Sequence, residues 1–160
     1  MMTSTIEGIK VRDLARKKAN DFANDLKSKP QFKHFDISEF TCPCCGRNLI
    51  SICLIQKLDK ARGIAGIPFN ISSGYRCKKQ NSKVGGSVTS SHIPGLAADI
   101  MVAVGYPRLL IIESLLKAGF QRIGVSSNMI HVDIDPNKPS SFWLYPAKKK
   151  LTQNKEFSNA

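Results

Sequence analysis

The sequence predicts an α+β protein built around one main core. Its 160 residues, 42% of them hydrophobic and 22% charged, match the size and composition of an ordinary globular domain. Apolar residues recur at helical spacing in three stretches of the chain. Residues 122–134 instead alternate as in an antiparallel β-hairpin, with a turn between the two halves.

The first half of the chain is predicted to contain two helices, one strand and one long loop. Pro30 ends the first helix, and Gly63 and Gly66 end the second. The predicted loop covers residues 77–91, and loops of that length inside a compact domain are usually functional. In order, the predicted elements are a basic helix over residues 5–29, an extended or turn segment over 34–40, a helix over 51–63 with Leu54, Leu58 and Ala61 on one face, a strand over 68–73 and a surface loop over 77–91.

The second half is predicted to contain a strand, a helix and the hairpin. Strict alternation along the second hairpin strand places His131, Asp133 and Asp135 on one face and the apolar residues between them on the other. In order, the predicted elements are a strand over residues 97–104, a helix from Pro107 to Gly119 with Leu109, Ile112 and Leu116 as its buried stripe, hairpin strands over 122–125 and 129–134, and an aromatic closing segment of Phe142, Trp143 and Tyr145.

Basic residues outnumber acidic ones by 24 to 12, which gives a net charge of +12. Such an excess favours an anionic partner, such as nucleic acid, a membrane surface or an acidic wall polymer, and charge alone does not choose among them. Much of the excess lies near the termini, which also fits solvated helix faces and a tail. We therefore predict a basic helix in residues 1–30, a main domain over 31–147 and a basic, disordered tail over 148–160.

The beginning of the chain has no charged start followed by an apolar block, so we predict no secretory signal. No apolar run approaches the roughly 18 residues of a membrane span. We therefore expect the protein to be made in the cytosol and to stay there unless something releases it.

Five cysteines are present, and four of them lie within twelve positions. Cys42 and Cys45 form a C-x2-C pair, and with Cys53 and Cys77 they could make a structural zinc site of four thiolates. The alternatives are a disulfide involving Cys77, which cytosolic synthesis disfavours, and buried free thiols. The spacing leaves all three open.

A metal-ligand pattern lies in residues 90–99, Ser-Ser-His-Ile-Pro-Gly-Leu-Ala-Ala-Asp, which offer the imidazole of His92 and the carboxylate of Asp99 at short range. A second imidazole, His131, follows in the run Asn-Met-Ile-His-Val-Asp-Ile-Asp. Three protein ligands leave the fourth tetrahedral position of a zinc ion open for water, which is the arrangement of a catalytic zinc site. Each histidine taken singly also fits an ordinary loop or core position.

Four motifs then follow one another in a recognisable order. They are Ser-Gly-Tyr-Arg-Cys at 73–77, Ser-x-His-x-x-Gly-x-Ala-x-Asp at 90–99, Gly-Phe-x-Arg-Ile-Gly-Val at 119–125 and Ile-His-Val-Asp at 130–133. Together they resemble the M15 family of zinc D-alanyl-D-alanine carboxypeptidases, in the branch common in phages and prophages. The resemblance covers about residues 35–145, some two thirds of the chain, and makes the domain over 31–147 a zinc peptidase.

The resemblance implies a small antiparallel sheet flanked by helices, as in the hedgehog and D-Ala-D-Ala peptidase fold group. It also implies one zinc ion bound by His92, Asp99 and His131, with peptidoglycan stem peptides as the substrate. Arg76 matches the family's substrate-binding arginine, and a guanidinium suits the free carboxylates of stem peptides. Ser90 matches the serine two places before the first ligand. Arg76 also fits a structural ion pair, and Ser90 a turn.

Amide hydrolysis at zinc needs a carboxylate that takes a proton from the attacking water and passes it to the leaving amine. Asp133, two residues after His131 on the same strand face, is the predicted catalytic residue. It equally fits a supporting role, in which it accepts a hydrogen bond from a ligand imidazole. Better-known family members carry an acid three residues before the last histidine ligand, where this chain has Asn128. Either Asp133 or Asp135 substitutes for it, or the mechanism differs, or activity is lost.

The predicted function is zinc-dependent hydrolysis of amide bonds in peptidoglycan stem peptides, by a phage endolysin or a wall-remodelling peptidase. We expect a monomer that acts at the cell wall after release and neither binds nucleic acid nor inserts into a membrane. One alternative is a wall-binding or structural phage protein that keeps the zinc fold without turnover. Another is a nucleic-acid binder built on a cysteine zinc knuckle and basic helices, which leaves the histidine and aspartate pattern unexplained.

Overall fold

The computed structural model of the chain describes residues 32–146. The chain divides into two units, Met1–Lys33 and His34–Ala160, and the fold below belongs to the second. The predicted basic helix over 5–29 and the predicted tail over 148–160 lie outside the described residues. The three predicted regions of the chain therefore stay predictions.

Five strands form one sheet in the order β1-β2-β4-β3-β5. Antiparallel pairing joins the first four strands of that order, and β5 pairs in parallel with β3 and forms the edge of the sheet. The predicted α+β class with a small, mostly antiparallel sheet is confirmed. The strands are β1 (Asn70–Ser73), β2 (Ala97–Met101), β3 (Arg122–Val125), β4 (Met129–Asp133) and β5 (Ser141–Leu144).

The described residues also contain three helices, α1 (Ile52–Ala65), α2 (Lys78–Lys83) and α3 (Tyr106–Lys117), and a single 3-10 turn at Ile37–Phe40. Helices α1 and α3 pack against each other. The predicted apolar face of α1 is confirmed, and Ile55 adds to it. The buried residues of α1 are Leu54, Ile55, Leu58 and Ala61. Within residues 32–146 no helix is long and apolar enough to span a membrane.

The predicted buried stripe of α3 is wrong. Leu109 and Leu116 are 60% and 56% exposed, and the face that packs inward is shifted by one to two positions. Apolar residues lie almost all around this helix, so their spacing does not single out one face, and packing against α1 decides it. The residues buried on α3 are Ile111, Ser114 and Leu115.

Three other predictions differ from the structure in detail. The predicted loop over 77–91 contains the short helix α2, and the predicted strand over 97–104 ends at Met101. The predicted turn over 34–40 is a 3-10 turn, because Asp36 accepts a hydrogen bond from the Ser38 amide while the Glu39 side chain accepts one from the Asp36 amide. The aromatic closing segment supplies most of β5, which pairs with β3.

Candidate metal centre

His92, Asp99 and His131 converge on one point, and their ligand atoms all lie within 4.8 Å of one another. Asp99 on β2 stands directly opposite His131 on β4 in the antiparallel register, and His92 lies in the turn before β2. All three side chains are buried. The structure therefore brings together the three residues that the sequence predicts as zinc ligands.

A tight turn after His92 delivers its imidazole to the sheet. The Gly95 amide donates to the His92 carbonyl, and the Leu96 amide donates to the Ser91 carbonyl. Gly95 has a φ of +76° and packs against the backbone of Leu49, so that a β-carbon there would collide with the Leu49 carbonyl. Only glycine therefore fits this turn without moving the chain.

The spacing of the three ligand atoms fits a shared tetrahedral ion. Asp99 Oδ1 lies 2.8 Å from His131 Nδ1 and 3.2 Å from His92 Nε2, and the two nitrogens are 3.3 Å apart. Ligand atoms bound to one tetrahedral zinc at roughly 2.0–2.1 Å lie about 3.3 Å from one another. Two imidazoles and one carboxylate are also a donor set typical of zinc.

The carbonyl of Gly74 sets the orientation of His92. It lies 2.6 Å from His92 Nδ1, and because a carbonyl oxygen only accepts, Nδ1 carries the proton and Nε2 offers its lone pair to the centre. A β-carbon on Gly74 would lie 2.6 Å from the backbone of Phe40. This contact was not predicted, although Gly74 lies in the Ser-Gly-Tyr-Arg-Cys motif.

Asp133 plays the corresponding part for His131. Its Oδ2 lies 3.2 Å from His131 Nε2, and its Oδ1 accepts hydrogen bonds from Arg122 Nε at 2.8 Å and from the Asp135 amide at 3.1 Å. The Asp133 carboxylate is buried, and both of its oxygens have partners. Sequence reasoning missed Arg122, whose place two residues before Gly124 in β3 lets it face Asp133 on β4.

The two predicted substrate-binding residues lie beside the centre. Arg76 pairs with Asp99 through Nη2 and Oδ2, and its Nε donates to Ser73 Oγ at 2.7 Å. This pair leaves Asp99 Oδ1 facing the two imidazoles. Ser90 Oγ accepts a 3.4 Å hydrogen bond from the His92 amide, so it contributes to the turn that holds this ligand.

The ionisation of the centre follows from these contacts. Burial raises the pKa of the Asp99 carboxyl, but its close contacts with the His131 and His92 imidazoles, which attract the carboxylate when they are protonated, lower it more, and the pKa ends well below its ordinary value. Burial lowers the pKa of His131, but the hydrogen bonds to Asp133 and Asp99 raise it above its ordinary value. As for Asp99, burial raises the pKa of Asp133, but its hydrogen bonds with His131, the Asp135 amide and Arg122 bring that pKa below its ordinary value.

Two aromatic residues from β5 and the chain after it form a wall beside His131. Their ring centroids lie 5.6 Å (Trp143) and 6.5 Å (Tyr145) from that of His131. Trp143 packs directly over Gly124, its partner in the parallel pairing, where a β-carbon would overlap the indole ring. Burial raises the pKa of Tyr145, and the charges of the two aspartates in the centre raise it further.

Asn128, which the resemblance places at the position of an acid, lies exposed on the turn between β3 and β4. Its side-chain oxygen is 3.4 Å from Ser126 Oγ. Asp135, the other predicted substitute, is buried and accepts hydrogen bonds from Ser91 Oγ at 2.9 Å and from the Asn137 amide. Both thus have local structural partners.

Comparison with known proteins points to one family. The model of the family described as peptidase M15 matches residues 33–135, nearly two thirds of the chain. The matched span contains the three candidate ligands, Asp133 and the polar residues around them. Comparison with curated proteins finds no match.

Proposed function

Because the chain belongs to the peptidase M15 family of zinc peptidases, we propose that it hydrolyses amide bonds in peptidoglycan stem peptides. His92, Asp99 and His131 would hold the zinc ion. The observation that carries this proposal is the 2.8–3.3 Å spacing of three ligand atoms from separate segments. When bound, zinc supplies Lewis acidity at the scissile carbonyl and an activated water for amide hydrolysis.

The residues around the ligands prepare the site. Gly74 holds His92 in the tautomer whose Nε2 lone pair faces the centre, and Asp133 holds His131 so that Nδ1 does the same. We assign Asp133 this orienting role in preference to that of general base. Both of its oxygens accept hydrogen bonds, and a carboxylate whose pKa is lowered by such bonds is a weak proton acceptor.

Arg76 would serve both the ligand and the substrate. Its pairing with Asp99 Oδ2 holds that carboxylate in place, and its side chain remains 14% exposed. A guanidinium at the edge of the centre attracts the free carboxylate of a stem peptide and fits its geometry. Ser90 stays a proposed contact to the substrate backbone, since its position beside His92 is at the edge of the same site.

The aromatic wall would shield the centre and contact the substrate. Trp143 and Tyr145 cover the side of His131 that faces β5, which limits the approach of water from that direction. The raised pKa of Tyr145 keeps its phenol neutral, so that its hydroxyl can donate a hydrogen bond to a polar group of the peptide. An endolysin or wall-remodelling role, with action at the wall after release, belongs to this proposal.

A second candidate function is a wall-binding or structural protein that keeps the zinc site without turnover. The residue that favours it is Asn128, because asparagine cannot serve as the acid that better-known family members carry there. The two candidates make different predictions for purified substrate: the peptidase releases new products, whereas the binding protein leaves every muropeptide intact.

The deciding experiment incubates the zinc-loaded protein with purified muropeptides and follows the products by mass spectrometry. We expect two fragments whose masses sum to that of the substrate plus one water, and the mass of each fragment names the bond. A chelator should abolish this activity, and added zinc should restore it. His92→Ala should abolish turnover. The matched control is His34→Ala, because His34 is the one other histidine and lies outside the centre. Intact muropeptides with a stoichiometrically zinc-loaded protein would instead support the binding function.

A further inference from the structure

A second group of metal-ligating side chains lies apart from the histidine centre. The sulfur atoms of Cys42, Cys45 and Cys77 lie within 4.8 Å of one another, although the last of them is 32 residues further along the chain. Cys42 and Cys77 are buried, and all five cysteines are free thiols in the structure. Cys53, which the predicted four-thiolate site includes, is exposed and does not join this group.

The backbone around these cysteines is folded to point their sulfur atoms at one place. The Gly46 amide donates to the Cys42 carbonyl at 3.0 Å and the Cys42 amide to the Arg47 carbonyl at 2.9 Å, which closes a tight turn around the C-x2-C pair. Gly46 has a φ of +66°, a conformation that favours glycine. The glycine at the end of the turn thus allows the conformation that brings the thiols of Cys42 and Cys45 together.

Amide groups point at two of the three sulfur atoms. The Cys77 amide donates to Cys42 Sγ and the Gln80 amide to Cys77 Sγ, each at 3.4 Å. Hydrogen bonds of this kind stabilise a negatively charged sulfur more than a neutral thiol. Arg47, two residues after Cys45, brings a positive charge to the same turn. The two amide contacts thus suit Cys42 and Cys77 as metal ligands that carry negative charge.

We propose that Cys42, Cys45 and Cys77 bind a structural zinc ion, distinct from the one at the histidine centre. Thiolate ligands select zinc over the hard divalent ions, and closed tetrahedral sites rich in cysteine are typical of structural zinc. Cys44, which lies in the same turn between Cys42 and Cys45, is the candidate for the fourth ligand.

The position of this thiolate site gives it a role in the architecture of the histidine centre. The site joins the turn after Phe40 to Cys77. The residues directly before Cys77 support the histidine centre, because the Gly74 carbonyl orients His92 and Arg76 pairs with Asp99. Tyr75 is buried with Cys42 and Cys77, and its amide donates to the Phe40 carbonyl. A metal bound here would fix the segment that supports the first ligand.

Zinc content measures the proposal directly. The full-length protein is purified under reducing conditions, saturated with zinc, freed of excess metal and analysed by inductively coupled plasma mass spectrometry. We expect two zinc ions per chain in the wild type and one in the double variant His92→Ala/His131→Ala. Cys45→Ser should also hold one, and since Cys45 is exposed this substitution spares the core. The matched control, Cys53→Ser, should keep two.

Cobalt replacement identifies the ligands independently of any peptidase activity. Loaded with Co²⁺, the double histidine variant should retain an intense thiolate-to-cobalt charge-transfer absorption, and Cys45→Ser should lose it. A double histidine variant without zinc, a zinc content in Cys45→Ser equal to that of the wild type, or peptide mapping that finds a Cys42–Cys77 disulfide in protein kept under reducing conditions would each overturn the proposal. None of these outcomes depends on whether muropeptides are cleaved.

Discussion

At the scale of single residues, the two imidazoles of the centre are held by different kinds of partner. A neutral backbone carbonyl holds His92, whereas the ionised carboxylate of Asp133, itself paired with Arg122, holds His131. A carboxylate raises the basicity of the imidazole that it contacts, and a carbonyl does so much less. The proton of His131, whose pKa is raised, therefore competes with a metal ion for Nδ1.

Replacing Asp133 by asparagine tests its orienting role. The change removes the negative charge behind His131, and we expect zinc affinity to fall about 10- to 100-fold, with turnover restored by excess zinc. Competition with a chelating dye measures the affinity. Glu113→Gln, which replaces an exposed acid paired with Lys117 across one helical turn, should leave the zinc affinity unchanged. Unaltered zinc affinity together with lost turnover would assign Asp133 to proton transfer instead.

The raised pKa of His131 sets the pH dependence of the centre. In the metal-free protein its protonated form is stabilised by two aspartates, so this contribution is complete below the ordinary pKa of about 6.5 and is lost as the pH rises through the higher folded value. Zinc must displace the same proton, so zinc affinity should increase over that interval. Asp99, with its lowered pKa, stays ionised throughout.

Thermal unfolding between about pH 6 and about pH 8 gives the measurement. In the presence of a chelator, the stabilisation that protonated His131 adds to the melting temperature should decline as the pH rises. The increase in melting temperature that added zinc produces should become larger as the pH rises. Measured in a Cys45→Ser background, so that the thiolate site does not contribute, His131→Gln should remove both trends, whereas His34→Ala should keep them. A zinc-induced increase that is the same at every pH would contradict this account.

At the scale of secondary structure, the alternation of side chains along a strand was predicted correctly, whereas the face that a helix buries was not. Strand β4 alternates strictly, so the pairing of His131 with Asp133 on one face followed from the sequence, and so did the hairpin with β3. Helix α3 has apolar residues on nearly every side, and its inward face depends on contact with α1, which local spacing does not contain. The parallel partnership of β3 and β5 is likewise a tertiary choice.

That partnership depends on Gly124. We expect Gly124→Ala to destabilise the protein by about 1–3 kcal/mol, because the new methyl group would overlap the indole of Trp143 and push β5 outward. Chemical denaturation measures the loss, and tryptophan emission reports the contact, since Trp143 is the one tryptophan of the chain. Gly63→Ala in α1, whose added carbon would lie 3.4 Å from His34, is the matched control.

Gly63 lies inside a helix, so its replacement by alanine should leave the free energy of unfolding unchanged or raise it by about 0.5–1 kcal/mol. Equal stability of the two alanine variants, with tryptophan emission unshifted in Gly124→Ala, would show that β5 adapts without cost. The aromatic wall beside His131 would then be more loosely held than its packing indicates.

At the scale of the whole molecule, the ligands were easier to predict than what surrounds them. His92, Asp99 and His131 were identifiable because few histidines are present and each lies in a distinctive motif. Gly74 acts through its carbonyl, which every residue has, and Arg122 reaches Asp133 only because β3 pairs with β4. The residue types at these two positions therefore did not reveal their roles. The strand order β1-β2-β4-β3-β5 is a property of the assembled sheet.

The net charge of +12 makes a prediction about substrate size that rests on the proposed function. An anionic wall polymer presents many charges to the protein, whereas an isolated stem peptide presents few. Electrostatic attraction extends about 30 Å at 0.01 M salt and about 8 Å at 0.15 M, so salt should weaken capture of the polymer far more. We expect the apparent KM for whole sacculi to rise roughly three- to tenfold over this range, and that for a soluble stem peptide to change less than about twofold. Initial rates on the two substrates measure the difference, and an equal salt dependence would mean that the basic residues contribute nothing to capture of the wall.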